Sequence, residues 1–179
     1  MCLPTFTLSE TLAIAILVFM GAEIASLAVI TGKTVIAPFG ENEPIKPEGR
    51  EYATRATTLG GLTFAAITLL VGTFYQQLDR LSDVFFLLGL SIGLFLISYS
   101  AEVLVRIAKL FWIIQDKTLW YGFLSVILAL DLFFRQFLSD SFLLILAVVF
   151  VVAGIHIYEF YLDVMAQRSL KRAVAAKQP

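Results

Sequence analysis

Glu23, Glu102, His156 and Glu159 are the side chains of this chain whose types and surroundings suit proton or cation chemistry. A carboxylate holds a proton or a cation, and an imidazole exchanges its proton near neutral pH. Each of the four lies in or at the end of a long apolar stretch. An ionisable group in such a setting is costly, which makes it a functional position by default.

Glu23 stands thirteen residues after Glu10, about 20 Å along a helix. No Lys or Arg lies three or four residues from it, so its own helix cannot pair it. Its partner must be another helix, water or a proton. His156 and Glu159 are three residues apart and share one helical face. Counted from Ser141, His156 falls about 22 Å along its helix, a depth close to that of Glu23. Glu102 closes an apolar segment, with Arg106 one turn further. Equal depth predicts that the four surround a polar pocket in the cytoplasmic half of a bundle.

That pocket has competing readings: interhelical hydrogen bonding that fixes the bundle, a proton or cation pathway with carboxylate relay sites, or a metal site. The last lacks a second histidine, whereas di-metal bundles use Glu-x-x-His from two helices. No metal and no cofactor is therefore expected. No residue is assigned a catalytic role either, because the chain has no Gly-rich phosphate loop, no His-x-x-x-His and no Cys-x-x-Cys. A membrane enzyme is the third-ranked reading. Asp131 and Arg135 form a further one-turn pair, read as a local salt bridge.

Small residues add a second signal. Thr57, Gly61, Ala65, Thr68 and Gly72 recur at helical spacing, Gly89 and Gly93 form a Gly-x-x-x-Gly pair, and Gly21 with Ala25 does the same. Small residues let helix backbones approach in lipid. Packing within the protomer is the expected use, and lining of a pore by the threonine hydroxyls the alternative.

The elements that would position these groups are apolar segments. Hydrophobic residues make up 59% of the chain and charged residues 15%, against roughly 45–50% and 25% in soluble domains. Five segments are long enough to span a bilayer as helices: 9–30, 57–75, 84–104, 119–134 and 141–162. Porin-type alternation is absent from them. The first has Glu10 and no cation before it, the reverse of a signal peptide's start, so retention is expected.

Cations settle the expected orientation. Lys33, Lys46, Arg50 and Arg55 fall in the 31–56 loop, and Arg106, Lys109 and Lys117 in the 105–118 connection. Arg168, Lys171, Arg172 and Lys177 fall in the 163–179 tail, leaving only Arg80 and Arg135 for the turns 76–83 and 135–140. Cationic loops stay cytoplasmic, which puts residues 1–8 outside and the tail inside. Aromatic rings flank the segment ends, where a bilayer interface favours them. Trp112, Trp120, Tyr121, Tyr158 and Tyr161 would lie on the cytoplasmic side. Arg168, Lys171 and Arg172 are expected to touch lipid headgroups. The single cysteine, Cys2, excludes an internal disulfide.

The predicted fold is thus an all-α, polytopic bundle of five transmembrane helices in the cell membrane. The predicted function is a small oligomeric channel or ion-translocating protein built around the polar cluster. The alternative is a non-conducting structural or signalling subunit that anchors a cytoplasmic protein through residues 33–56 and the tail. The bilayer is the first partner, with copies of the chain or a larger complex the second. Nucleic acid is excluded, because the cations are spread over three short pieces.

Overall fold

A computed structural model describes residues 7–36 and 46–137, and beyond them residues 150–151, 153–155, 157–158, 160–161 and 164–165. Every regular element among the described residues is helical, and none is a strand. Helix α1 spans Leu8–Thr31, α2 Lys46–Thr73, α3 Ser82–Val105 and α4 Lys109–Phe137. Short 3-10 turns cover Gly32–Val35 and Tyr75–Leu81. Four helical stretches are long and apolar enough to cross a membrane: Leu8–Thr31, Glu51–Thr73, Tyr75–Val105 and Lys109–Gln136. The fifth expected crossing, 141–162, falls largely outside the described residues, and those described from residue 150 onward are helical.

Local chemistry sets the helix ends. Thr7 caps α1 by a reciprocal box: the Glu10 backbone N–H donates to Thr7 Oγ1 at 3.3 Å, and the Thr7 N–H donates to Glu10 Oε2 at 2.8 Å. At the other end Gly32 adopts φ 67°, a conformation that costs a side-chain-bearing residue energy, and its N–H donates to the Ala28 carbonyl. Helix α2 begins at Lys46 with Pro47 in its first turn, where a missing N–H is harmless. Helix α4 begins at Lys109 after a turn at Arg106–Ala108, ten residues upstream of the apolar segment 119–134. Most of the 105–118 connection is therefore helix.

The helices run alternately up and down. Helices α3 and α4 pack along their lengths and form the centre, with α2 against α3 on one side and α1 against α4 on the other. Accordingly 56% of the apolar window of α4 is buried but only 11% of that of α2.

Three levels of apolar contact stack through the bundle. Ala13, Leu81, Val84, Leu87, Ala129 and Leu132 close one end. Ile16, Leu94 and Tyr121 lie in the middle, and Leu27, Val35 and Ile113 close the other end with Phe160 and Val164 against them. At the first end Phe74 meets Phe133 edge-on, their ring centroids 5.7 Å apart. Polar clips hold the same end. Ser9 Oγ donates to Asp83 Oδ1 at 2.5 Å, and Gln136 Nε2 donates to the Arg80 carbonyl at 2.7 Å.

Two hydroxyls tie α3 to α4. Ser98 donates to the Gln115 carbonyl and Ser125 to the Leu87 carbonyl, both at 2.8 Å. Phe95, 2% exposed, is the large side chain at the junction of α2, α3 and α4. It fits because Gly122 faces it. A Cβ on Gly122 would lie 2.7 Å from Phe95 Cε1, and one on Gly60 3.7 Å from Phe95 Cβ.

Most of the expected small-residue seams are not where α1–α4 meet one another. Thr57, Gly61, Ala65, Thr68 and Gly72 are all exposed on α2, and Gly21, Ala25 and Gly89 are exposed on α1 and α3. Among the described residues no atom would come within 4 Å of a Cβ on Gly21, Gly61, Gly72, Gly89 or Gly93. The stripes are therefore not the seams by which α1–α4 pack on one another. Close approach to the Phe95 ring here uses Gly122, where a methyl group would take space the ring fills, while a methyl on Gly60 would meet Phe95 at ordinary contact distance.

Candidate functional site

The face of α1 that meets α4 carries Ile16, Met20, Glu23 and Leu27 at helical spacing. The opposing face of α4 carries Ile113, Lys117 and Tyr121, each four residues from the next. Crossing of these faces brings Glu23 to Tyr121, and the phenol hydroxyl donates a hydrogen bond to the carboxylate. Tyr121, expected among the interfacial aromatics, is instead 6% exposed inside the bundle.

Glu23 and Tyr121 line a cavity of about 400 Å³ between α1, α4 and the helical residues near 155. Leu12, Ile16, Phe19, Trp120, Leu124 and Leu128 form most of its wall, with Ala153 and Ile157 across from them. The Trp120 ring stands edge-on to Phe123, centroids 6.4 Å apart, which holds its orientation. Among the described lining residues, polar atoms come from Glu23, the Tyr121 hydroxyl and the Trp120 indole, and the rest are apolar. From Ser9 to Glu23 the inward positions of α1 are Ala13, Ile16 and Met20. No polar side chain on that face carries the cavity toward the start of α1.

Below Tyr121, toward the start of α4, a polar band is sealed into the bundle. Gln115, Asp116, Lys117 and Thr118 are 0%, 8%, 2% and 2% exposed. Lys117 Nζ lies 3.1 Å from Asp116 Oδ2 and 5.9 Å from the centroid of the Phe160 ring. A desolvated ammonium is stabilised by both a carboxylate and a ring face. Expected among the cations of the 105–118 connection, Lys117 stands within α4 with its side chain buried. The helix begins early enough that this residue is about 12 Å inside it, turned toward α4's neighbours.

Of the four residues expected around one polar pocket the structure describes Glu23 and Glu102, and these two do not line the same cavity. Glu23 reaches a cavity whose other described lining residues are mostly apolar. Glu102 is half-buried near the end of α3 and lines neither that cavity nor the groove between α3 and α4. Among the described residues it makes no salt bridge with Arg106, the residue just past the end of α3. His156 and Glu159 lie outside the described residues, as do Arg168, Lys171 and Arg172. Among the described residues no group of three His, Cys, Asp or Glu side chains is placed to hold a metal ion.

The threonines of the α2 stripe have their protons committed. Thr57 Oγ1 donates to the Ala53 carbonyl at 2.9 Å and Thr68 Oγ1 to the Phe64 carbonyl at 3.0 Å. At the far end of α4, Asp131 is 9% exposed and under the charge of Arg135. Its Oδ1 has no hydrogen-bond partner among the described residues.

Sequence reasoning missed Tyr121 and the 115–118 band as site residues. The signal available was the run Gln-Asp-Lys-Thr followed at helical spacing by Tyr121, between two apolar stretches too close together to leave room for a loop. Comparison with protein-family models, with curated proteins and with solved structures found no match.

Proposed function

We propose that this chain is a multi-pass membrane protein that moves protons or small cations across the bilayer, with Glu23 as the group that holds them. The observation that carries this reading is a carboxylate at the wall of a cavity, within a membrane-length helix, hydrogen-bonded across to Tyr121. A carboxylate kept at that depth is costly, and a bundle that needed only packing would be served by leucine there. The apolar stretch Ala13–Ile16–Met20 above it favours binding and release at a closed site, or a path between copies, over a pore through one protomer.

Assembly with further copies belongs to the same reading. The exposed stripe on α2 from Thr57 to Gly72 supports close approach of a second chain. Charge placement supports residues 1–8 outside and the tail inside.

Proton or cation flux into liposomes containing the purified protein tests the proposal. Glu23→Gln keeps the size of the side chain but removes the charge and the exchangeable carboxyl proton, so flux should fall to the level of empty vesicles. Unchanged flux removes Glu23 from the mechanism. The anchor reading draws on one feature: α2 starts at Lys46, five residues before its apolar stretch begins at Glu51, so part of the connector is an ordered helix. A soluble protein that copurifies in mild detergent, and is lost on deletion of residues 42–47, would favour it.

A further inference from the structure

The cavity beside Glu23 has a chemistry more specific than that of a proton site. We propose that it is a binding site for a lipophilic organic monocation, an aromatic or quaternary onium ion whose apolar groups fill the space while its charge meets Glu23. This rests on the proposed transport role and names a substrate class for it.

Size is the first argument. A volume of about 400 Å³ falls in the range of pockets that enclose drug-sized molecules, and is far larger than a proton or a dehydrated metal ion requires. The wall is the second. Phe19, Trp120 and Tyr121 present aromatic rings and Leu12, Leu124 and Leu128 aliphatic surface, so the site offers little to a hydrated inorganic ion. Charge is the third. Among the described residues lining the cavity the charged group is the Glu23 carboxylate, and aromatic faces carry negative potential that attracts cations. Neither feature suits an anion. The Tyr121 hydroxyl donates to Glu23, which positions the carboxylate at the cavity wall. Lys117, one turn from Tyr121, has its ammonium beside Asp116 and the Phe160 ring.

Tetraphenylphosphonium is the probe, read by quenching of tryptophan emission in detergent-solubilised protein. The chain has two tryptophans, so a Trp112→Phe background leaves Trp120 as the reporter. Trp112 lies outside the cavity and its Nε1 has no hydrogen-bond partner among the described residues. The cation should bind saturably, and the isosteric anion tetraphenylborate at least about tenfold more weakly, the loss of one desolvated charge contact. Glu23→Gln should weaken phosphonium binding by a similar factor and leave borate binding unchanged.

The comparison of the two ions on the unsubstituted site needs no variant to fold. Equal binding of both ions, equal binding to Glu23→Gln, or no saturable binding would overturn the proposal. Glu23-dependent proton flux without phosphonium binding would sink this inference and leave the transport role standing. Charge-selective binding with no flux of any ion would do the reverse.

Discussion

At the scale of single residues, the site depends on two kinds of fit, one steric and one electrostatic. The steric one is Phe95 between Gly60 and Gly122. A Cβ on Gly122 would also lie 2.9 Å from Phe95 Cδ1 and 3.3 Å from Leu94 Cβ. The ring cannot swing aside cheaply in a packed interior. Gly122→Ala should therefore destabilise the bundle by about 1–3 kcal/mol, whereas Gly61→Ala, which meets nothing, should change little. Thermal unfolding of the two variants in one detergent checks this, and equal melting temperatures would refute it.

The electrostatic fit is Lys117 with Asp116. Removing one partner of a buried pair leaves an uncompensated charge and costs about 3–5 kcal/mol. Lys117→Met should be strongly destabilising, and adding Asp116→Leu should restore much of the loss. A double variant no more stable than the single one would mean that Lys117 acts mainly through the Phe160 ring. Both fits were only partly legible beforehand. Gly122 sits in a row of small residues at helical spacing, Thr118, Gly122, Ser125 and Ala129, whose spacing does not name the ring it faces, and Lys117 resembles a loop cation until helix α4 is seen to start at Lys109.

Among elements, the least occupied is α2. Its inward residues, Ala53, Ala56 and Thr63, are buried, while the stripe from Thr57 to Gly72 faces away. Spacing alone identifies which residues of a helix allow a close neighbour, but not whether that neighbour belongs to the same chain. If a second copy is the neighbour, cysteines at Gly61 or Thr68 in a Cys2→Ser background should form disulfide-linked dimers on oxidation in membranes. A cysteine at Gly60, turned toward Phe95, should not. Monomers from all three would dismiss the α2 interface. Helix α1 teaches the complementary lesson. Its start was readable, since Thr7 and Glu10 are spaced as a capping box. The partner of Glu23 was not readable, because it lies 98 residues on in α4.

For the molecule as a whole, the alternating run of four helices puts the starts of α1 and α3 at one end with the ends of α2 and α4. The cations give that bundle an expected orientation, with Arg80 and Arg135 at one end and Lys33, Arg55, Arg106 and Lys109 at the other. In a Cys2→Ser background, a cysteine at the exposed Gln77 should react with an impermeant maleimide on intact cells. One at the exposed Arg106 should react only after the membrane is opened. The opposite pattern would invert the topology.

Membrane residence and helicity were already determined by sequence alone. Apolar stretches of this length dissolve in lipid, and lipid leaves backbone groups no partner but their own helix or a closed barrel. What only the tertiary structure decided is which side of each helix faces inward. In water, polar residues mark the outer face; in a bilayer both faces are apolar, so α1 carries leucine, valine and phenylalanine all round and its pattern does not point. The inward face emerged from shape, through a ring that needs the glycine at 122 and a carboxylate that meets a phenol.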